Sequence, residues 1–229
     1  VNAAAILAAA GRGDRLGRPK QLLDLAGKPM AAWSLELFER TPAIDAVYIA
    51  CEADERERFE ALAKEYAPSK TRIVVAGGAT RQASVHAALA AVSPTLPLVM
   101  VHDGARPFVT LDIMERTIGA AYHRMSAIAA VPVKDTVKQA HDGAVVRTIP
   151  RSTLWAAQTP QVFPYDVLVA AHDRALADGV LDTDDAALVE RLGAPVKLVM
   201  GSYANIKITT PEDFEIALWI AQRTEAARR

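Results

Sequence analysis

From Ala8 to Gln21 the chain reads Ala-Ala-Ala-Gly-Arg-Gly-Asp-Arg-Leu-Gly-Arg-Pro-Lys-Gln. Ala9, Ala10, Gly11 and Gly13 give a backbone that can approach a ligand closely and turn its N–H groups toward phosphate oxygens. Arg15 and Lys20 add cationic donors. This combination suits a polyphosphate, whose charge must be neutralised as pyrophosphate separates. Two other glycine loops do not fit. A dinucleotide fingerprint wants a third glycine where Leu16 stands, and a P-loop wants Gly-Lys followed by Ser or Thr. A bare Gly-x-Gly would read as an ordinary strand-to-helix turn. The two cations directly after an apolar strand turn the reading toward phosphate binding, with Arg15 and Lys20 as candidate catalytic groups.

Further along stand Asp103 and Arg106, at the end of an apolar run, and Lys207 between Ile206 and Ile208. A carboxylate at a strand end suits Mg²⁺, a hard cation that takes oxygen ligands and keeps several waters. It also suits a turn whose Asp bonds its own backbone. On the residues alone these two roles of Asp103 stand level. Arg106 offers the planar fork that pairs with phosphate. His102 is read as structural, because neighbouring strand residues point to opposite faces. Arg81 is read as a helix-surface charge and kept outside the site.

To position these groups the chain offers alternating apolar and amphipathic runs, the signature of parallel strands with crossover helices. Strands are expected over residues 3–9, 46–51, 72–76, 98–102, 127–133 and 196–200. Helices are expected over 29–40, 54–66, 80–92 and 111–124, with a last one from Pro211. The fold class is therefore α/β, a Rossmann-like, mostly parallel sheet flanked by helices. Such sheets bind ligands beyond the carboxyl ends of their strands, which makes Ala10-Gly11 and His102-Asp103 site candidates. One stretch breaks the rhythm. Two apolar-polar runs flank His141-Asp142-Gly143, and Asp-Gly between such runs is a strong hairpin signal. We read a single domain over 1–229, with a protruding β-hairpin arm at about 135–153.

Composition bounds the rest. The chain has 229 residues, 51% of them hydrophobic, enough for one sizeable core. Its net charge of −1 recruits neither nucleic acid nor an anionic membrane, so a phosphate site must come from local clustering. The single cysteine, Cys51, rules out an internal disulfide and suits the cytoplasm, and the scattered histidines argue against a zinc cluster. No apolar run has the length of a membrane span.

The loop, with Gly-x-Arg-Leu and Pro-Lys-Gln, resembles the signature of sugar-phosphate and isoprenoid nucleotidyltransferases. Gly77-Gly78 with Ser84, His102-Asp103-Gly104-Ala105-Arg106-Pro107, Lys134-Asp135-Thr136, Arg151 with Gln158-Thr159-Pro160-Gln161, Thr183-Asp184-Asp185 and Asn205-Ile206-Lys207 follow in order. Together they resemble the 2-C-methyl-D-erythritol 4-phosphate cytidylyltransferase family over almost the whole chain. The resemblance implies a Mg²⁺-dependent transfer of CMP from CTP to a small phosphorylated polyol, giving an isoprenoid precursor. It places Gly77, Gly78 and Ser84 near cytosine and ribose, and Lys207 at the α-phosphate. It tips Asp103 toward metal and substrate. Arg106, Thr136 and Thr183 would then hold the polyol phosphate, and Arg151 would reach a neighbouring subunit's site in a homodimer joined through the arm. Thr183 is explained equally by helix capping among 182–185, and Thr136 by a β-branched strand residue. No acidic residue precedes Asn205, so a second carboxylate for the metal is not evident. Two rivals are carried: a ribitol 5-phosphate cytidylyltransferase and a non-catalytic nucleotide-binding regulator. The cations at 15, 20 and 207 argue against the second.

Overall fold

The computed structural model describes residues 2–11, 20–122 and 125–226. The core is a seven-stranded sheet in the order β3-β2-β1-β4-β8-β5-β9. Its strands are β1 (Ala3–Ala9), β2 (Ile44–Cys51), β3 (Thr71–Ala76), β4 (Leu98–Asp103), β5 (Ser126–Pro132), β8 (Trp155–Pro164) and β9 (Val196–Met200). β6 (Val137–His141) and β7 (Ala144–Ile149) form a separate two-stranded sheet. The helices are α1 (Met30–Arg40), α2 (Arg56–Tyr66), α3 (Arg81–Leu89), α4 (Leu111–Ala120), α5 (Tyr165–Asp178), α6 (Asp185–Arg191) and α7 (Pro211–Ala226).

β1 explains the layering. Its residues are small or apolar and nearly all buried, as a central parallel strand covered on both faces requires. Ala3, Ala5, Leu7 and Ala9 pack toward α1, α2 and α4, whereas Ala4 and Ile6 pack toward α3, α5 and α6. A third cluster joins Trp33 and Met30 of α1 to Ile208 and to Ala217 and Ala221 of α7. Pro29 caps α1 where the sequence expected its first residue, since a proline ring lacks the N–H that the first turn leaves unpaired.

β1 lies between β2 and β4, and the parallel register sets Ala8 beside Asp103. The crevice at this order reversal is where doubly wound sheets hold ligands. α3 and α4 end earlier than expected: α3 reaches only Leu89, and after Ala120 the chain turns extended at Ala121.

The largest departure from the sequence reading is β8. It runs antiparallel between β4 and β5, in the interior of the sheet. Its Gln158-Thr159-Pro160-Gln161 stretch is polar and contains a proline, which argues against a central strand. The strand survives because those polar groups are bonded internally.

The arm has the expected form. Asp142 and Gly143 both adopt positive φ, at 48° and 77°, and connect His141 to its register partner Ala144 in a two-residue turn. This φ pair is what Asp-Gly favours in hairpins. A register shift beyond Gln139–Arg147 leaves Val146 as an extra residue in β7. Arm residues Val145 and Val146 stand 63% and 60% exposed. At the base, Val133 N–H donates to Leu154 O, Tyr203 Oη–H to Pro132 O, and Lys134 lies over the Tyr203 ring.

Candidate active site

The cleft over the β1–β4 crevice has a volume of about 800 Å³ and is lined by Ala10, Gly11, Lys20, Gly77, Gly78 and Lys207, among others. Chain segments reach it from the carboxyl ends of β1, β2, β3 and β4. Gly13 and Arg15 lie outside the described residues. Ala9 is a core residue, 3% exposed, so only its backbone borders the loop.

Gly77 and Gly78 are required by close packing. A Cβ at Gly77 would stand 2.3 Å from that of Ala10 and 2.8 Å from Ser84 Oγ, and one at Gly78 would stand 2.5 Å from the Ala83 Cβ. Ser84 is 2% exposed; its hydroxyl accepts from the Gly78 N–H at 3.1 Å and lies 2.8 Å from Thr80 O. Ser84 therefore shapes the turn that forms the cleft wall, while Thr80 caps α3 by accepting from Ala83 N–H.

Asp103 is the centre of the site. Its Oδ1 accepts from Arg81 Nε at 2.9 Å and its Oδ2 from Lys207 Nζ at 2.8 Å. Burial opposes its charge, but Arg81 and Lys207 outweigh burial and hold the carboxyl well below the usual carboxylate range. Lys207 arrives on an extended segment anchored where Ile208 N–H donates to Ala105 O. Ile208 is buried and Lys207 faces outward, as the alternation predicted.

Beneath Asp103 lies a buried polar network carried by β8. The Asp103 N–H donates to Thr159 Oγ1 at 3.0 Å, and Thr159 Oγ1 bonds His102 Nδ1 at 3.0 Å. His102 Nε2 meets Arg106 O at 3.0 Å. These partners assign the proton to Nε2 and leave Nδ1 accepting from Thr159. Burial lowers the His102 pKa to about 4, so the ring is neutral at pH 7. Asn205 Nδ2 donates to Thr159 O at 2.9 Å, and Gln158 Nε2 to Ser202 O at 2.8 Å. That pair holds the segment leading to Lys207. His102 is thus structural, as the sequence suggested.

Arg106 sits behind Asp103, 12% exposed, with Nε 3.9 Å from Oδ2. Its Nη1 donates to Asn205 O at 2.8 Å. Nη1 of the fork expected for phosphate thus ties the end of β4 to the Lys207 segment, Nη2 lies 3.4 Å from Ala157 O, and Nε has no hydrogen-bond partner among the described residues. Thr136 and Arg151 are exposed at the base of the arm, where Arg151 donates to Lys134 O. Thr183 is exposed before α6, and Asp184 is the residue that caps this helix, by accepting from Ala187 N–H. None of the four is among the described residues lining the cleft of a single chain.

The reading of Arg81 as a surface charge is corrected. Its side chain is 25% exposed and bridges Asp103 and, through Nη1 at 2.7 Å, Asp185. Asp185 is fully buried and its other oxygen lies 3.0 Å from His172 Nε2. A signal was available. An arginine in the first turn of a helix opposes the helix dipole, and α3 has no acidic residue there to compensate. Such a cation needs carboxylates from elsewhere. Glu52, after β2, also lines the cleft and was not anticipated.

A family model described as 2-C-methyl-D-erythritol 4-phosphate cytidylyltransferase matches residues 3–223. The cytidylyltransferase of that name from Geobacter metallireducens is 48% identical, over 93% of this chain and 94% of its own length. The one from Shouchella clausii is 47% identical, over 97% of both chains. Among solved structures, the 4-diphosphocytidyl-2C-methyl-D-erythritol synthase of Anaerococcus prevotii superposes with a TM-score of 0.86 at 32% identity, covering 97% of this chain and 96% of its own. The 2-C-methyl-D-erythritol 4-phosphate cytidylyltransferase of Thermus thermophilus gives 0.81 at 35%, covering 97% of this chain and 100% of its own.

Proposed function

Because the chain belongs to the 2-C-methyl-D-erythritol 4-phosphate cytidylyltransferase family, we propose that it transfers CMP from CTP to 2-C-methyl-D-erythritol 4-phosphate, a step of isoprenoid precursor synthesis. The products are 4-diphosphocytidyl-2-C-methyl-D-erythritol and pyrophosphate. The observation that carries the reading is the Lys207–Asp103–Arg81 cluster at the β1–β4 crevice, beside a glycine-walled cleft.

A phosphate oxygen of the polyol attacks the α-phosphorus of CTP, and the bond to the pyrophosphate oxygen breaks. The attacking monoester is already anionic, so a strong general base is not required. The protein's work is then positioning and charge neutralisation. Lys20 and Lys207 line the cleft and supply cations, joined in our reading by Arg15. Gly77 and Gly78 line the cleft and would present backbone to the nucleoside.

Mg²⁺ fits the donor set. Among the described residues no three metal-ligating side chains cluster, so a dedicated protein cage is not what the cleft offers. One buried carboxylate, Asp103, suits an ion that keeps waters and shares a triphosphate. Asp103 would hold it once Lys207 leaves Oδ2 for phosphate. The ion would supply charge neutralisation on the phosphates.

The exposed valines of the arm and the absence of Arg151 from the described cleft lining support a homodimer in which arms are exchanged. Arg151 and Thr136 would then serve the partner's site. The lone, buried Cys51 suits a cytoplasmic setting. The test is pyrophosphate release by pure protein with Mg²⁺ and CTP, using 2-C-methyl-D-erythritol 4-phosphate and ribitol 5-phosphate in parallel. Turnover of the first is expected; turnover of the second alone would reassign the enzyme, and release with neither would remove the activity.

A further inference from the structure

Arg81 serves two carboxylates at once. Nε faces Asp103 at the cleft and Nη1 faces Asp185 in the interior. A guanidinium is a rigid planar fork, so fixing one N–H fixes the direction of the others. Asp185 is well placed to do the fixing. It is 1% exposed, and His172 on α5, also 1% exposed, holds its second oxygen. The start of α6 is itself clamped to β8, because Gln161 donates to Asp184 Oδ2 at 2.7 Å and accepts from Ala186 N–H at 3.2 Å. Burial opposes the Asp185 charge, but Arg81 and His172 outweigh it and keep the carboxyl ionised.

We infer that Asp185, held by His172, is a positioning residue for the reaction: its buried carboxylate draws the Nη side of Arg81 inward, so that Arg81 occupies only Oδ1 of Asp103 and Oδ2 stays open to exchange between Lys207 and incoming ligands. This rests on the functional reading above. Without Asp185 the fork is free to turn both of its N–H groups onto Asp103, a bidentate pairing that neutralises the carboxylate and competes with whatever must bind Oδ2. Asp185 touches neither cleft nor substrate, so its influence runs through Arg81.

Two substitutions and their combination test this. Asp185→Asn keeps shape and removes the charge. Arg81→Lys keeps a charge that cannot bridge both carboxylates. Steady-state pyrophosphate release, melting temperature and CTP affinity by calorimetry are measured for each and for the double variant. Asp185→Asn is expected to lower kcat about tenfold or more, with KM and CTP affinity changed less than about threefold. Arg81→Lys should do the same, and the double variant should be about as active as the worse single, because both lesions break one link. Losses that multiply, or an unchanged kcat with only a lower melting temperature, overturn the inference. If Asp185→Asn does not fold, His172→Gln with Arg81→Lys gives the same cycle one step further out and is judged by the same criterion. Wild-type protein is the control. If it releases no pyrophosphate the functional reading fails; if it turns over while the cycle is multiplicative, only the positioning role fails.

Discussion

The network under β4 and the arm made by β6 and β7 satisfy their side chains in opposite ways. Under β4, Asp103, His102, Thr159 and Asn205 are at most 6% exposed and joined by hydrogen bonds of about 3 Å. On the arm the apolar side chains Val145 and Val146 lie mostly in solvent. A buried polar group without a partner is costly, so a network like the first pairs its groups within the chain, Asn205 Oδ1 excepted, and is consequently rigid. An isolated two-stranded hairpin is marginal and needs something to pack against. The first region is thus finished within one chain, whereas the second leaves apolar surface that the proposed homodimer would cover.

The sharpest way to break this contrast is to remove a cleft cation that the network positions but does not need. Lys207→Ala should lower kcat by about two to three powers of ten, as loss of one preorganised charge does. Its melting temperature should fall only modestly, since Lys207 is 40% exposed and Arg81 still pairs Asp103. A variant with wild-type kcat would uncouple the network from catalysis.

A second effect separates the regions by pH. His102 is depressed to about 4 in the fold, against an unfolded value of about 6.5. Between those values the unfolded chain takes up a proton that the folded ring refuses, so stability rises with pH there and is lost as pH falls. The shift corresponds to about 3 kcal/mol. Unfolding free energies from denaturant titrations at pH 7 and pH 4 should differ by roughly that amount through His102, and His102→Gln should flatten this part of the slope. Asp103 and Asp185, whose pKa values are lowered, add their own loss only below about pH 4. An unflattened slope would mean that the buried ring is not the sensor.

The smallest effect tests the arm. Lys20→Ala damages the body of a site and Arg151→Ala the arm; each homodimer should be nearly inactive. If arms are exchanged, half of a statistical mixture is mixed dimers and each holds one intact site, so co-expression should restore about a quarter of wild-type activity. With arms folded back on their own chain, mixing restores nothing.

How much of this was legible in the sequence follows from the range of the interactions. Local signals read well. The Ala3–Ala9 strand, the Asp142-Gly143 turn and the outward Lys207 depend on neighbours along the chain. Asp103 was visible because it ends an apolar run. Misreadings occurred where a residue's meaning lay far away. Gln158–Gln161 was not expected as a strand because the partners that satisfy it come from residues 102–103, 184–186 and 202–205. Arg81 read as surface because one of its carboxylates lies 104 positions away. That Asn205 O takes Nη1 of Arg106 was likewise not visible, because that partner lies 99 positions away.

The place where the arm departs has a consequence of a different kind. Pro132 at the end of β5 and Trp155 at the start of β8 are register partners, so the arm leaves and rejoins the sheet at adjacent positions. To the sheet, everything in between is one hairpin loop, and the entropy of closing such a loop grows only slowly with its length. Insertions, deletions and substitutions beyond that junction can therefore accumulate without repacking the interior. The arm and the core of the sheet are evolvable on separate schedules, and the same junction offers an engineer a clean splice for grafting a foreign arm or closing the sheet with a tight turn.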